Sequence, residues 1–177
     1  MSDVDPATAA ALGWPKPKYA WVERERRWLC HHVPADRIVR SETIVDLYVT
    51  GTQLRLREAT PIGGGETMRR LGRKADVSAS TRLLTSIYLA PEEFRLLSSL
   101  PGTVLRKTRH YLGKVGGAEL SIDRFEGALS GLIMAEAEFD DSVAMSAYPI
   151  PDFAYREVTD DLRYTGGALV LDGLPSD

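Results

Sequence analysis

In the stretch Val22-Glu23-Arg24-Glu25-Arg26-Arg27-Trp28-Leu29, five charged residues run in succession with one residue between the two acids, and no other feature constrains the chain as much. As a β-strand it puts Glu23, Glu25 and Arg27 on one face and Val22, Arg24, Arg26 and Trp28 on the other. Two carboxylates two residues apart on one face repel each other unless a cation stands between or above them. A divalent ion that prefers hard oxygen ligands, Mg2+ or Mn2+, is the simplest such cation. Taken alone, the pair reads as a solvated strand face laced with ion pairs. The other charged rows of the chain change that balance.

Most of the chain reads as strands. After the first, over residues 19–30, come Thr43 to Val49, the strictly alternating Gln53 to Glu58, Thr67 to Asp76 and Thr81 to Leu89. Pro91-Glu92-Glu93-Phe94 opens a helix, with proline early and acids in the first turn, and it stops near Pro101-Gly102. Strands resume at Thr103 to Leu112, Glu119 to Glu126 and Leu132 to Asp140, and a short helix closes the chain from about Tyr164 to Leu171. The glycine pairs and triplets at 63–65 and 116–117 mark turns. Residues 1–18, ending in Trp14-Pro15-Lys16-Pro17, read as a flexible, loosely docked extension, because two prolines one residue apart continue neither a helix nor a central strand. The expected organisation is an extension over 1–18, one domain over 19–171 and a tail over 172–177.

The charged faces sort by sign. Acidic faces come from both ends of the chain: Glu23 and Glu25, then Glu136 and Glu138. Basic faces come from the middle: Arg55 and Arg57, Arg73 and Lys74, Arg106 or Lys107, and Arg109. Residues 54–110 hold eleven Lys and Arg against five Asp and Glu, inside a chain whose net charge is −3. The alternate faces of these strands are apolar and belong in a core. If the sheet closes into a barrel, one set of faces lines its interior. A lining of this kind repels itself unless an anion fills the cationic part and metal ions fill the acidic part. A polyphosphate carrying Mg2+ or Mn2+ meets both needs, with arginine forks suited to phosphate oxygens.

At this point the chain resembles the CYTH superfamily, the triphosphate tunnel metalloenzymes. Glu23-Arg24-Glu25-Arg26-Arg27 resembles the family's E-x-E-x-K strand, and Gly51-Thr52-Gln53-Leu54-Arg55-Leu56-Arg57 its R-x-R strand. Arg73-Lys74 stands where a basic strand residue is expected, and Arg106-Lys107-Thr108-Arg109 resembles the K-T-R segment. Asp123-Arg124-Phe125-Glu126-Gly127 resembles a D-x-F-E-G turn, Gly131 to Glu138 the G-L-x-x-A-E-x-E strand, and Glu157-Val158-Thr159 with Arg163-Tyr164 the tail of bacterial members. The motifs occur in family order over about residues 19–171. The resemblance implies a mainly β, α+β chain: a closed eight-stranded antiparallel barrel, or tunnel, with a few peripheral helices. It implies metal binding by Glu23, Glu25, Glu136 and Glu138. Phosphate binding falls to Arg55, Arg57, Arg73, Lys74, Arg106 and Arg109. The catalytic set is Glu23, Glu25, Arg27, Glu136 and Glu138, with Arg27 in place of the motif lysine; an arginine stays protonated and takes no proton-transfer role.

The implied activity is metal-dependent triphosphate hydrolysis, with inorganic triphosphate as leading substrate. Thiamine triphosphatase, adenylate cyclase and a non-catalytic binder of polyphosphate or nucleotide are the alternatives. A pI of about 5.7 gives no global basic field, so nucleic acid is not an expected partner. No charge-free apolar stretch is long enough to span a bilayer, and the acidic N-terminus lacks the basic n-region of a secretory signal. The default expectation is a cytoplasmic protein without a membrane partner, its oligomeric state open to a homodimer. The single cysteine, Cys30, excludes an intrachain disulfide. His31 and His32 face opposite ways on a strand and read as incidental. Asp123 reads either as a lining residue or as a turn contact.

Overall fold

The computed structural model describes residues 4–176. Its strands are β1 (Trp21–Cys30), β2 (Arg40–Val49), β3 (Leu54–Pro61), β4 (Met68–Asp76), β5 (Thr81–Tyr88), β6 (Gly102–Val115), β7 (Ala118–Phe125), β8 (Ile133–Phe139) and β9 (Ala154–Glu157). The helices are α1 (Pro6–Ala11), α2 (Pro91–Leu97), α3 (Ser142–Ala147) and α4 (Gly166–Asp172). Every pairing is antiparallel. The order β5-β4-β3-β2-β6-β7-β8-β1 closes on itself through a β5–β1 pairing, which makes the eight-stranded barrel. The ninth strand, β9, takes over the same edge of β1 from Trp28 onward, beyond the stretch that β5 covers.

Local chemistry explains the turns. Gly116 and Gly117 both hold positive φ, the conformation of a two-residue hairpin loop that matches strand twist, and they join Val115 to Ala118. The α2 helix begins with proline at its first turn, and the Glu93 carboxylate accepts from the Ala90 N–H at 2.7 Å.

The barrel is inverted relative to an ordinary core. Its interior carries charge, so apolar burial moves to the outer wall. On one side, Trp28, Ile122, Ala135, Ala137 and Phe139 pack with Tyr148 and Phe153. At one end, Leu105, Phe125 and Met134 project inward and meet Tyr164, Val158 and Leu169 under α4. Gly166 in α4 abuts Tyr48, where a Cβ would collide with the phenol. That end is therefore stoppered by apolar side chains.

The third cluster differs from the loose extension expected at the N-terminus. Val4, Ala9 and Trp14 are buried against Ala75 and Leu83 of the barrel wall. α1 ends at Ala11, before either of the two prolines, with Gly13 at positive φ just past its C-cap; Asp5 caps its start by accepting from the Thr8 N–H at 2.9 Å, and the chain then lies along β5. Residues 1–3 of that expected extension, and residue 177 of the tail, lie outside the described residues. The short α3 and β9 had no strong periodic signal. Among the described residues no helix is long and apolar enough to cross a membrane.

Gly102 leaves no room for a side chain in the β2–β6 ladder. A Cβ there would press into the Tyr48 carbonyl and lie 2.8 Å from Leu47 Cδ1, whereas a Cβ on Gly72 finds nothing nearer than 3.8 Å. Gly102→Ala is expected to lose about 1–3 kcal/mol through overpacking. At this chain length that lowers Tm by about 2–4 °C per kcal/mol. Thermal unfolding followed by circular dichroism should show this drop for Gly102→Ala and none for Gly72→Ala.

Candidate active site

Strand parity places the site. Glu23, Glu25 and Arg27 of β1 point into the barrel, as do Arg55 and Arg57 of β3 and Lys74 of β4. Arg109 of β6 and Glu136 and Glu138 of β8 join them around a cavity of about 500 Å³. Two expected phosphate-binding residues lie elsewhere. Arg106 is exposed on the outer wall, because it is out of phase with Arg109; Lys107 takes the inward position. Arg73 is out of phase with Lys74, and its guanidinium lies outside over the Trp14 ring at 4.1 Å.

The same parity decides for Lys107 over Arg106 and brings in Arg70 and Arg82. Arg70 shares the inward face with Lys74, Lys107 with Arg109, and Arg82 sits opposite Glu23 in the β1–β5 register. Behind the basic rows stand two fully buried carboxylates, Asp46 and Asp123. Arg57 donates to both oxygens of Asp46 at 2.7 Å, with Arg55 Nε at 3.8 Å from the same group. Arg109 donates to both oxygens of Asp123, at 2.7 and 2.6 Å, and Lys107 donates to it at 2.5 Å. Asp123 is thus neither a turn contact nor an open lining residue; it is the counter-ion beneath the β6 cations.

The acidic side is paired across strands. Glu25 lies opposite Glu138, and Arg27 opposite Glu136. Lys74 donates to Glu23 at 2.5 Å, Arg82 to Glu25, and Arg109 to Glu136. Arg82 also donates to Asp76 at 2.6 Å. Arg27 is buried, and its guanidinium donates to the carbonyls of Thr159 at 2.8 Å and Ala79 at 3.2 Å. Its Nε is 3.7 Å from Glu25 and has no hydrogen-bond partner among the described residues.

The carboxylates consequently titrate apart. Burial pushes the Glu136 carboxyl up, but Arg109, Lys107, Lys74 and Arg27 together hold it well below the usual carboxylate range. Glu23 is lowered in the same way, with Lys74 overcoming burial. Glu138 is raised: burial comes first, then repulsion from Glu23 and Glu136, with too little cation nearby to offset them. Burial, followed by repulsion from Arg57 and Arg55, lowers Arg70, which has no carboxylate partner among the described residues. Both Glu138 and Arg70 line the cavity, one an under-neutralised acid and the other an under-neutralised cation.

Among the described residues no three acidic, His or Cys side chains form a ready-made metal cage. The donor set is nevertheless all carboxylate oxygen, which suits Mg2+ or Mn2+. Mg2+ in particular is commonly held by only one or two carboxylates with substrate phosphates and water completing its shell.

No family model matches the chain. Over 87 residues, 48% of its length, it is 37% identical to the inorganic triphosphatase of Nitrosomonas europaea. That match spans 57% of the relative, little more than half of its length. The solved structure of the inorganic triphosphatase NE1496 superposes with a TM-score of 0.57 at 27% identity, covering 87% of this chain and 97% of that one. The PH1819 protein from Pyrococcus horikoshii OT3 shares the fold at a TM-score of 0.52 and 20% identity, covering 68% of this chain and 78% of its own.

Asp46 supplies a test of the buried charge balance. Its carboxyl is pushed up by burial and pulled further down by Arg57 and Arg55, ending well below the usual range. Asp46→Asn leaves Arg57 without its counter-charge, and the expected loss at neutral pH is about 3 kcal/mol. A carboxyl depressed in the folded state stabilises fully above its unfolded value of about 3.9, and that stabilisation fades as pH falls toward the folded value. Denaturant titrations of both proteins should show the full gap at pH 7 and a narrowing gap below about pH 4.

Proposed function

We infer that this chain, which has the triphosphate tunnel fold of the CYTH superfamily, is a hydrolase that cleaves the terminal phosphoanhydride bond of a triphosphate, with inorganic triphosphate as its substrate and Mg2+ or Mn2+ as its cofactor. The observation that carries this reading is the partition of one enclosed cavity into a cationic wall and an acidic wall. A compact polyanion of three phosphates with a chelated divalent ion has the same partition. The likeness to inorganic triphosphatases supports it independently.

In this reading the basic wall, Arg55, Arg57, Arg70, Lys74, Lys107 and Arg109, grips the phosphate oxygens. Glu23, Glu136 and Glu138 would hold the metal, with Glu25 behind them neutralised by Arg82 and Arg27. When bound there, the ion would supply charge neutralisation on the phosphate oxygens and a lowered pKa for a nearby water. Water attacks the terminal phosphorus, the bond to the bridging oxygen breaks, and orthophosphate and pyrophosphate leave. The arginines stay charged throughout and stabilise the negative charge that accumulates on the leaving oxygen. The buried acids Asp46 and Asp123 hold the guanidinium planes in place, so the cations need no reorganisation as the reaction proceeds. Arg27, tied to two backbone carbonyls, acts as a fixed positive charge beneath Glu25 and Glu136. The apolar stopper under α4 closes one end, so substrate enters from the opposite mouth.

Phosphate release should be seen with inorganic triphosphate plus Mg2+ or Mn2+ and abolished by a chelator, with ATP and thiamine triphosphate turned over more slowly. Glu136→Gln should lower kcat by about 10²-fold, the scale of a lost group that organises the transition-state charge. Full metal-dependent turnover by Glu136→Gln would sink the assignment. Tight triphosphate binding without phosphate release would make the protein a polyphosphate binder instead.

A further inference from the structure

Arg73, which lies outside the tunnel, has a site of its own. Its guanidinium covers the Trp14 ring and donates to the carbonyls of Leu12 at 3.1 Å and Gly13 at 3.3 Å. Gly13 holds a φ of +95°, and a Cβ there would run into the guanidinium. The backbone conformation favours glycine, and a Cβ would push the guanidinium off its seat. Trp14 is buried, and its indole N–H donates to Thr85 Oγ1 at 2.8 Å; that hydroxyl donates in turn to the Tyr19 carbonyl at 2.7 Å. This hydrogen-bonded docking is directional as well as apolar.

The place it docks is the closure of the barrel. β1 and β5 share four register pairs, Trp21 to Arg24 with Leu84 to Thr81, against ten between β2 and β6. The outer side of that short seam is Val22 opposite Leu83, with Ala75 beside Leu83 on the next strand. Val4, Ala9 and Trp14 cover this apolar patch, leaving Leu83 fully buried. The inner side of the same seam carries Glu23 opposite Arg82, and Glu23 receives Lys74 from β4. Arg73 and Lys74 are adjacent on one extended strand, so fixing Arg73 on the outside fixes the strand position from which Lys74 projects inside.

We propose that residues 4–20 form a clamp over the β1–β5 seam, and that Gly13, Trp14 and Arg73 are positioning residues that set Lys74 for the phosphate chain. The proposal rests on the reading of Lys74 as a phosphate-binding residue. Arg73 touches no part of the substrate; it acts through Lys74. A seam of four pairs breathes more readily than the rest of the barrel, and movement there displaces Lys74 and Glu23 together.

A double-mutant cycle on equilibrium binding tests this. The affinity for inorganic triphosphate is measured by calorimetry in chelator for the wild type, Arg73→Gln, Lys74→Gln and the double variant, each checked for native circular dichroism. Arg73→Gln should weaken binding about tenfold, and adding it to Lys74→Gln should weaken binding no further. Gly13→Ala keeps Arg73 but blocks its seat, and it should reproduce the loss. Should Arg73→Gln not fold, Gly13→Ala takes its place in the cycle. Amides of residues 81–84 should exchange faster in both variants. Wild-type affinity in Arg73→Gln and Gly13→Ala, or additive losses in the double variant, would overturn the clamp while leaving the tunnel site intact. Wild-type affinity in Lys74→Gln would instead remove Lys74 from the phosphate site, and the clamp's route through it falls with it.

Discussion

The barrel stands on two buried carboxylates, Asp46 and Asp123. Each lies behind a basic row and binds an arginine through both oxygens. Without them the inward cations of β3 and β6 would repel one another in a poorly solvated space, and the interior would open to water or collapse. With them the arginines are held rigid and planar, while the outward edge of each guanidinium still faces the cavity. Arg70 is the exception: it is pressed by Arg57 and Arg55 and has no acid of its own among the described residues.

Filling the interior with charge has a structural consequence. A small barrel normally packs side chains inside; this one stabilises itself from outside. Trp28, Ile122 and Phe139 face outward and are buried only because α3 and the chain around Tyr148 and Phe153 cover them. Val4, Ala9 and Trp14 do the same over the closing seam, and α4 does so at the stoppered end. The peripheral segments are therefore part of the fold's stability and part of the site's geometry at once.

Much of this was legible in alternation. Glu23, Glu25, Arg27, Arg55, Arg57, Arg109, Glu136 and Glu138 all point inward, as the period of two requires. The two residues that do not, Arg73 and Arg106, were out of phase with neighbours already assigned inward, so strict parity would have chosen Lys74 and Lys107 alone and added Arg70. Arg82 and Asp46 carried weaker signals, since Arg82 is the one charge of β5 and Asp46 the one charge of the run Thr43 to Val49. The docking of residues 4–20 carried none: an alanine-rich helix followed by two prolines has no periodic face, and only the exposed outer wall at Val22, Ala75 and Leu83 calls for a cover.

From the sequence alone came the strands, their two-faced character and the signs of their charged rows, because side-chain alternation is a local property of extended chain. The tertiary structure alone decided which carboxylate meets which cation, that Asp46 and Asp123 lie beneath the basic rows, and that Arg73 seats the N-terminal segment. Those outcomes depend on register and closure. Register is set between strands that lie far apart in the chain, and no local pattern encodes which residue will stand opposite.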